Sequence, residues 1–268
     1  MRPLSISTAW EETKAILARD GGLLAAVALA LIVLPQVVLA VAGAPVGPEA
    51  SYLSKLLYVA VVLLGIVAQI ALNRMAIGAA VMVKEAIGEG FVRLLPVMAV
   101  FVIVIIGLVI VTMVLAVILG AAGLATLKSA GQPPTAIVAV LVALTALIFA
   151  IFQLVFPIAA VETGNPIRLI SRSWQLARGH YLRLLGFVVT IFVGLGIVVI
   201  ATQVGLGSLI VLLLGKPNPG SLSALVLGLI AGVIQAAFTV VTAVMLARIY
   251  VQLAGRSEAQ PTVPSSGI

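Results

Sequence analysis

Long apolar runs alternate with short polar segments along the whole chain. A spanning helix needs about 20 apolar residues, and six runs reach that length, with predicted bounds of 23–41, 52–75, 91–124, 136–161, 181–214 and 222–253. The runs are continuous, whereas the strands of a membrane barrel alternate apolar and polar residues over about ten positions. The pattern therefore predicts an all-α, polytopic integral membrane helical bundle of six transmembrane helices, arranged as three hairpins.

Two of the polar segments have the period of an amphipathic helix. Residues 5–19 place Trp10 on an apolar face, and residues 165–178 do the same with Trp174. Both segments are predicted to be cytoplasmic surface helices at the membrane edge. For residues 5–19, a helix packed directly on the bundle is the alternative.

Composition and charge agree with a membrane bundle. The chain is 63% hydrophobic and only 9% charged, whereas a soluble domain has about 25% charged residues. We therefore predict that residues 1–254 form a single transmembrane domain and that the polar residues 255–268 form a disordered cytoplasmic tail.

The net charge is +7, but the basic residues are spread over short loops, which favours contact with anionic lipids over binding of nucleic acid. Twelve of the fifteen Lys and Arg residues fall on one side of the predicted topology, and Lys55, Lys128 and Lys216 fall on the other. Because basic loops stay in the cytoplasm, both termini are predicted to be cytoplasmic.

The most polar stretch between two spans carries candidate binding residues. Arg168, Arg172 and Arg178 share one arc of the predicted helix, beside the apolar face that includes Trp174. Guanidinium groups suit the phosphates of lipid headgroups, so these four residues are candidates for contact with a lipid headgroup or a protein partner. The alternative is that the arginines only keep this loop in the cytoplasm.

Glu162 stands at the membrane end of the fourth predicted span, where a carboxylate is costly unless it is paired. A structural ion pair with Arg183, or with Arg168 or Arg172, is expected. Proton coupling is the alternative.

The glutamines singled out inside predicted spans are Gln69, Gln153, Gln203 and Gln235. Polar side chains in spans often form hydrogen bonds between helices, but together these glutamines could also line a polar path. The pair Gly228 and Gly232 allows a second helix to approach closely.

No catalytic, cofactor-binding or metal-binding pattern is found. The chain has no cysteine and one histidine, so no thiolate or paired-histidine metal site is expected. No phosphate-binding glycine loop and no intramembrane pair of acidic residues is present either, and the chain is expected not to be an enzyme.

Three short strings, at 19–24, 90–95 and 180–185, mark the points where the predicted hairpins enter the membrane, and each has a pair of leucines and a glycine within it or directly before it. They are consistent with a threefold repeat of surface helix, turn and hairpin. The alternation of loops explains the three hairpins equally well without a repeat.

One segment resembles a known family. In order, it contains Glu162, the turn Gly164–Pro166, the core Arg172-Ser173-Trp174 and the pair Arg178-Gly179. This order is similar to the glycerophosphoryl diester phosphodiesterase membrane-domain family. The resemblance implies a stand-alone membrane domain in a bacterial inner membrane, without the soluble catalytic barrel, and it supplies no activity.

These observations leave three functions open. The first is a non-catalytic inner-membrane protein with a structural, lipid-contacting or partner-binding role, for which the partners are membrane lipids, another membrane protein or a second copy of the chain. The second is a small transporter or channel whose path is lined by the intramembrane glutamines. The third is a lipid-modifying enzyme. A cavity lined by the glutamines would favour transport, and a tightly packed interior would favour the structural role.

Overall fold

The computed structural model describes residues 5–43, 50–78, 81–121, 145, 148, 152–162 and 164–258. All regular structure in these residues is helical, which confirms the all-α prediction. The helices are α1 (Ile6–Val41), α2 (Tyr52–Ile77), α3 (Val83–Val92), α4 (Leu94–Ala121), α5 (Val155–Val161), α6 (Pro166–Ala177), α7 (Tyr181–Leu214) and α8 (Leu222–Glu258).

Five of these helices, α1, α2, α4, α7 and α8, are long and apolar enough to cross a membrane. The chain is therefore a multi-pass membrane protein. Most of the predicted span 136–161 lies outside the described residues, and α5 is its described end. The predicted tail 255–268 begins inside α8, which extends to Glu258, and residues 259–268 lie outside the described part.

The predicted surface helix 5–19 and the span 23–41 form one unbroken helix, α1. Gly21 and Gly22 do not end the helix, although each costs about 1 kcal/mol relative to alanine. Packing on α8 outweighs this cost, because Ala9 is fully buried and the Glu12 carboxylate accepts a hydrogen bond from Arg248 at 2.7 Å. The first segment is thus the start of a transmembrane helix packed on the bundle.

The helix that corresponds to the predicted span 91–124 is α4, which begins at Leu94, three residues later than predicted, because a separate helix, α3, precedes it. α3 lies close against α2, where a Cβ atom on Gly90 would be 2.9 Å from the carbonyl oxygen of Val67. The chain turns at Arg93, whose guanidinium donates a hydrogen bond to the carbonyl oxygen of Ala159 at 2.5 Å. Two of the three predicted hairpin junctions, at 90–95 and 180–185, are therefore helix breaks, whereas 19–24 lies inside α1.

The last helix, α8, is at the centre of the described bundle and contacts α1, α2, α5, α6 and α7. Its glycines allow a close crossing with α1, because a Cβ atom on Gly228 would be 2.6 Å from the Cβ of Ala40. A Cβ atom on Gly232 would be 3.1 Å from the Cα of Val33. The close approach predicted for this glycine pair is confirmed.

Candidate functional site

A cavity of about 410 Å³ lies between the middle parts of α1, α2, α7 and α8, with the end of the fourth predicted span on one side. Its described lining mixes apolar side chains with uncharged polar ones. The polar side chains are Gln36, Tyr58, Gln69, Gln153, Gln235, Thr239 and Thr242. Three of the four glutamines singled out in the sequence therefore line one cavity.

A second cavity, of about 190 Å³, lies farther along α7 and α8. Gln203, the fourth predicted glutamine, lines it together with Thr202. Gln36 and Gln235 line both cavities. The two spaces therefore adjoin. Gln203 and Gln235 are exposed residues, so the polar lining is open to the surface of the described bundle at these two positions.

Sequence reasoning missed Gln36. The signal was the same as for the other glutamines, because Gln36 is a lone carboxamide in an apolar run, and it directly follows Pro35.

Two of the four long helices next to the cavities contain a π-helical turn, Leu29–Val33 in α1 and Gln203–Gly207 in α7. Leu31 and Ile32 of the first turn line the larger cavity, and Gln203 and Gly207 of the second line the smaller one. In α1, Pro35 lacks a backbone N–H donor and its ring disfavours a regular helix. This explains why the backbone hydrogen bonds change to the π-helical pattern just before it. Such turns are frequent at functional sites because they change the direction of side chains.

The carboxamides around the larger cavity are not paired with each other. Among the described residues, no hydrogen bond joins the side chains of Gln36, Gln69, Gln153 or Gln235 to a partner. The hydroxyl of Thr242 is buried and likewise has no partner there. A buried hydroxyl without a partner costs about 1–3 kcal/mol, and this cost applies to Thr242, whereas Gln235 is an exposed residue. The interior is therefore not arranged as the helix-bridging reading of the glutamines requires.

The described lining of both cavities contains no Asp, Glu, Lys, Arg or His. Carboxamides and hydroxyls can each donate and accept hydrogen bonds. The cavities thus offer neutral hydrogen-bonding groups within apolar walls.

A second polar cluster surrounds Glu162, at the end of α5. Its Oε1 accepts hydrogen bonds from Arg172 Nε at 3.2 Å and from the Tyr250 hydroxyl at 3.0 Å. Arg172 is one of the partners expected from the sequence, while Arg183, the other main candidate, is exposed on the first turn of α7. Tyr250 was not predictable as a partner of Glu162, because it lies 88 residues away on a different helix.

The predicted surface helix 165–178 is α6, with Asn165 at the N-cap position and Pro166 as the first helical residue. The Asn165 side chain makes no capping hydrogen bond. Of the candidate contact residues on this helix, Arg168, Arg178 and Trp174 are exposed, whereas Arg172 is partly buried against Glu162.

Further ion pairs join helices at the same end of the bundle, here called the basic end. Arg74 Nε lies 2.9 Å from Glu89 Oε2 and links α2 to α3. Arg248 Nε lies 2.7 Å from Glu12 Oε2 and links α8 to α1. These pairs hold the helix ends together at this side. Within the described ranges, no group of three acidic, histidine or cysteine side chains is placed to bind a metal ion.

No curated protein and no solved structure matches the chain. The family model that matches the chain carries no link to the phosphodiesterase membrane domain, so that resemblance stays a prediction. The model covers residues 4–253, nearly the whole chain, and the protein therefore belongs to the family described as "Domain of unknown function (DUF7847)".

Proposed function

We propose that the protein is a non-catalytic membrane protein that binds a small, neutral, polar solute between its spans and lets it pass, as a small transporter or channel. The observation that carries this proposal is the set of glutamine side chains that surround the larger cavity without a hydrogen-bond partner among the described residues. A solute that donates and accepts hydrogen bonds would satisfy these groups. Of the functions left open by the sequence, this arrangement favours transport over a purely structural role.

The absence of charge from the described lining supports a neutral solute. Moving a bare ion into an apolar medium costs on the order of 20 kcal/mol before relaxation. Neutral carboxamides alone compensate poorly for such a cost, whereas they match the hydroxyls of a polyol or the groups of an amide. Ions are therefore expected to be excluded.

The dimensions support a small solute. The larger cavity, of about 410 Å³, far exceeds the roughly 10–15 Å³ that one water molecule needs. It therefore has room for a small solute together with several water molecules.

The lining of the two cavities also extends through much of the membrane. Along α8, it runs from Leu227 in the smaller cavity to Thr242 in the larger one. At 1.5 Å per residue this distance is about 22 Å, compared with a hydrocarbon core of about 30 Å. The polar residues on α8, from Gln235 to Thr242, cover about 10 Å of it, and the remaining lining residues of this helix toward Leu227 are apolar.

We place the basic end in the cytoplasm, because it carries twelve of the fifteen Lys and Arg residues in the predicted topology. Both termini would then be cytoplasmic. The bacterial inner membrane is the proposed location, on the strength of the resemblance in the segment around Glu162.

The test is solute uptake by proteoliposomes, followed by stopped-flow light scattering. Glycerol and urea serve as neutral probes and sodium chloride as the ionic probe. We expect faster glycerol or urea uptake than in empty liposomes, with no acceleration of salt uptake. Uptake of both neutral probes at the rate of empty liposomes would count against passage, and acceleration of salt uptake would contradict the neutral selectivity.

A matched pair of variants on α8 connects the effect to the cavities. Gln235→Leu removes the carboxamide shared by both cavities, whereas Val233→Leu changes an exposed side chain that lines neither. One hydrogen bond to the solute contributes about 0.5–1.5 kcal/mol, so uptake should fall roughly two- to tenfold in Gln235→Leu only. Equal rates in the two variants would show that the solute does not cross beside Gln235.

A further inference from the structure

The surface helix α6 has three distinct faces. At about 100° per residue, its buried residues, Leu169, Ser173, Leu176 and Ala177, occupy one side and pack on the bundle. Its polar residues, Arg168, Ser171, Arg172, Gln175 and Arg178, occupy roughly the opposite side. Between these two faces lies a narrow third face made by Ile167, Ile170 and Trp174.

The third face is apolar but not covered by the described protein. Ile167 is 74% exposed and Trp174 is 59% exposed, although both are large apolar side chains. This face lies about a quarter turn from the buried one. A helix that lies flat on the membrane and leans sideways on a bundle has this division, with one face toward the protein, one toward lipid and one toward water.

The neighbours of α6 indicate that it lies at the depth in the membrane where the spans begin. α6 contacts α4 and leads through a short turn into α7, and both of these helices are candidate spans. On their first turns, Leu95 and Leu182 are 79% and 81% exposed. The apolar face of α6 thus continues the lipid-facing surface of the spans at the depth where they begin.

The positive charge next to this face is not compensated within the described protein. Arg168 and Arg178 are exposed, and neither forms an ion pair with a described residue. Glu162, the nearest acidic residue in the sequence, is already bonded to Arg172 and Tyr250.

We propose that α6 binds the headgroups of anionic phospholipids through Arg168 and Arg178, with Ile167 and Trp174 inserted into the interface beside them. Arg172 does not take part, because it holds Glu162. The proposal is independent of the cavities, since none of these residues lines them.

The test uses the whole protein in nanodiscs and the fluorescence of one tryptophan. The chain has two tryptophans, so Trp10→Phe leaves Trp174 as the reporter. Phosphatidylglycerol or phosphatidylcholine with brominated chains is added as the same minor fraction of otherwise identical nanodiscs. Bromine quenches tryptophan at contact, so the ratio of the two quenching levels reports the local enrichment of the anionic lipid.

We expect brominated phosphatidylglycerol to quench Trp174 more strongly than brominated phosphatidylcholine. Each basic residue near an anionic surface contributes about 1 kcal/mol, so Arg168→Gln and Arg178→Gln should each lower the enrichment about fivefold. Both arginines are exposed and unpaired among the described residues, so the variants should fold. Lys216→Gln, at the opposite end of the bundle, is the charge-matched control and should leave the ratio unchanged.

Three results would overturn the proposal. Equal quenching by the two lipids would exclude anionic selectivity. Enrichment that survives in both arginine variants would exclude the assigned residues. No quenching by either lipid would place Trp174 away from the bilayer and would favour a protein partner for this face.

Discussion

The contact between α1 and α8 at Gly228 leads to a stability prediction. Substitution by alanine adds one methyl group, and the ideal position of its carbon is 2.6 Å from the Cβ of Ala40. Favourable carbon–carbon contacts lie at about 3.5–4.0 Å. The two helices would have to separate by roughly 1 Å, and overpacking of this kind costs about 1–3 kcal/mol.

The same geometry predicts that a second substitution restores the contact. Ala40→Gly removes the clashing carbon, after which the nearest atom to the new methyl group is the Cα of Val37 at 3.3 Å. That distance is tight but needs a shift of only a few tenths of an ångström. The double variant should therefore regain most of the lost stability, with a coupling of about 1–2 kcal/mol in the double-mutant cycle, within the range for contacting residues.

The assay is reversible unfolding of the purified protein in mixed micelles with increasing dodecyl sulfate, followed by circular dichroism. Gly196→Ala is the control, because that helical glycine has no atom within 4 Å of an added Cβ. It reports the effect of the substitution on helix propensity without a clash. If Gly228→Ala were as stable as Gly196→Ala, or if the cycle showed no coupling, the assigned close approach would be wrong.

Two further predictions concern the basic end and the topology. Glu162→Gln should lower the free energy of unfolding in the same assay by about 1–2 kcal/mol, because Arg172 loses its anionic partner. Tyr250→Phe should lower it by about 1 kcal/mol, because one hydrogen bond is lost. If both variants were as stable as the parent, the hydrogen bonds assigned to Glu162 would be wrong. Because the chain has no cysteine, Asn218→Cys should react with an impermeant maleimide added outside intact cells, and Gln175→Cys should react only after lysis; the reverse pattern would invert the proposed orientation.

The membrane helices were largely predictable, because the length and continuity of apolar runs report directly on spans. The amphipathic period likewise located α6. The continuity of α1 was not predictable from local sequence. Gly21 and Gly22 signal a break, and what overrides them is packing on a helix more than 200 residues away, where Arg248 meets Glu12.

The candidate site was likewise predictable in part from local sequence and in part only from the packing of the helices. A lone glutamine in an apolar run indicates a polar requirement, but the face of the helix that meets a neighbour depends on the packing of the whole bundle. The convergence of Gln36, Gln69, Gln153 and Gln235 on one cavity could therefore be tested only with the structure. The same holds for Tyr250, whose contact with Glu162 depends on how α5 and α8 pack.

The pairing of α1 with α8 has a consequence for biosynthesis. About 180 residues separate the end of α1 at Val41 from the start of α8 at Leu222. At a translation rate of about 5–20 residues per second, α8 is synthesised roughly 10–40 s after α1. During this interval Gln36 and Glu12 lack their final surroundings, and the glycine face that will receive α1 does not yet exist. The newly made N-terminal helix must be sheltered by the insertion machinery or by the intermediate helices until the last span is released.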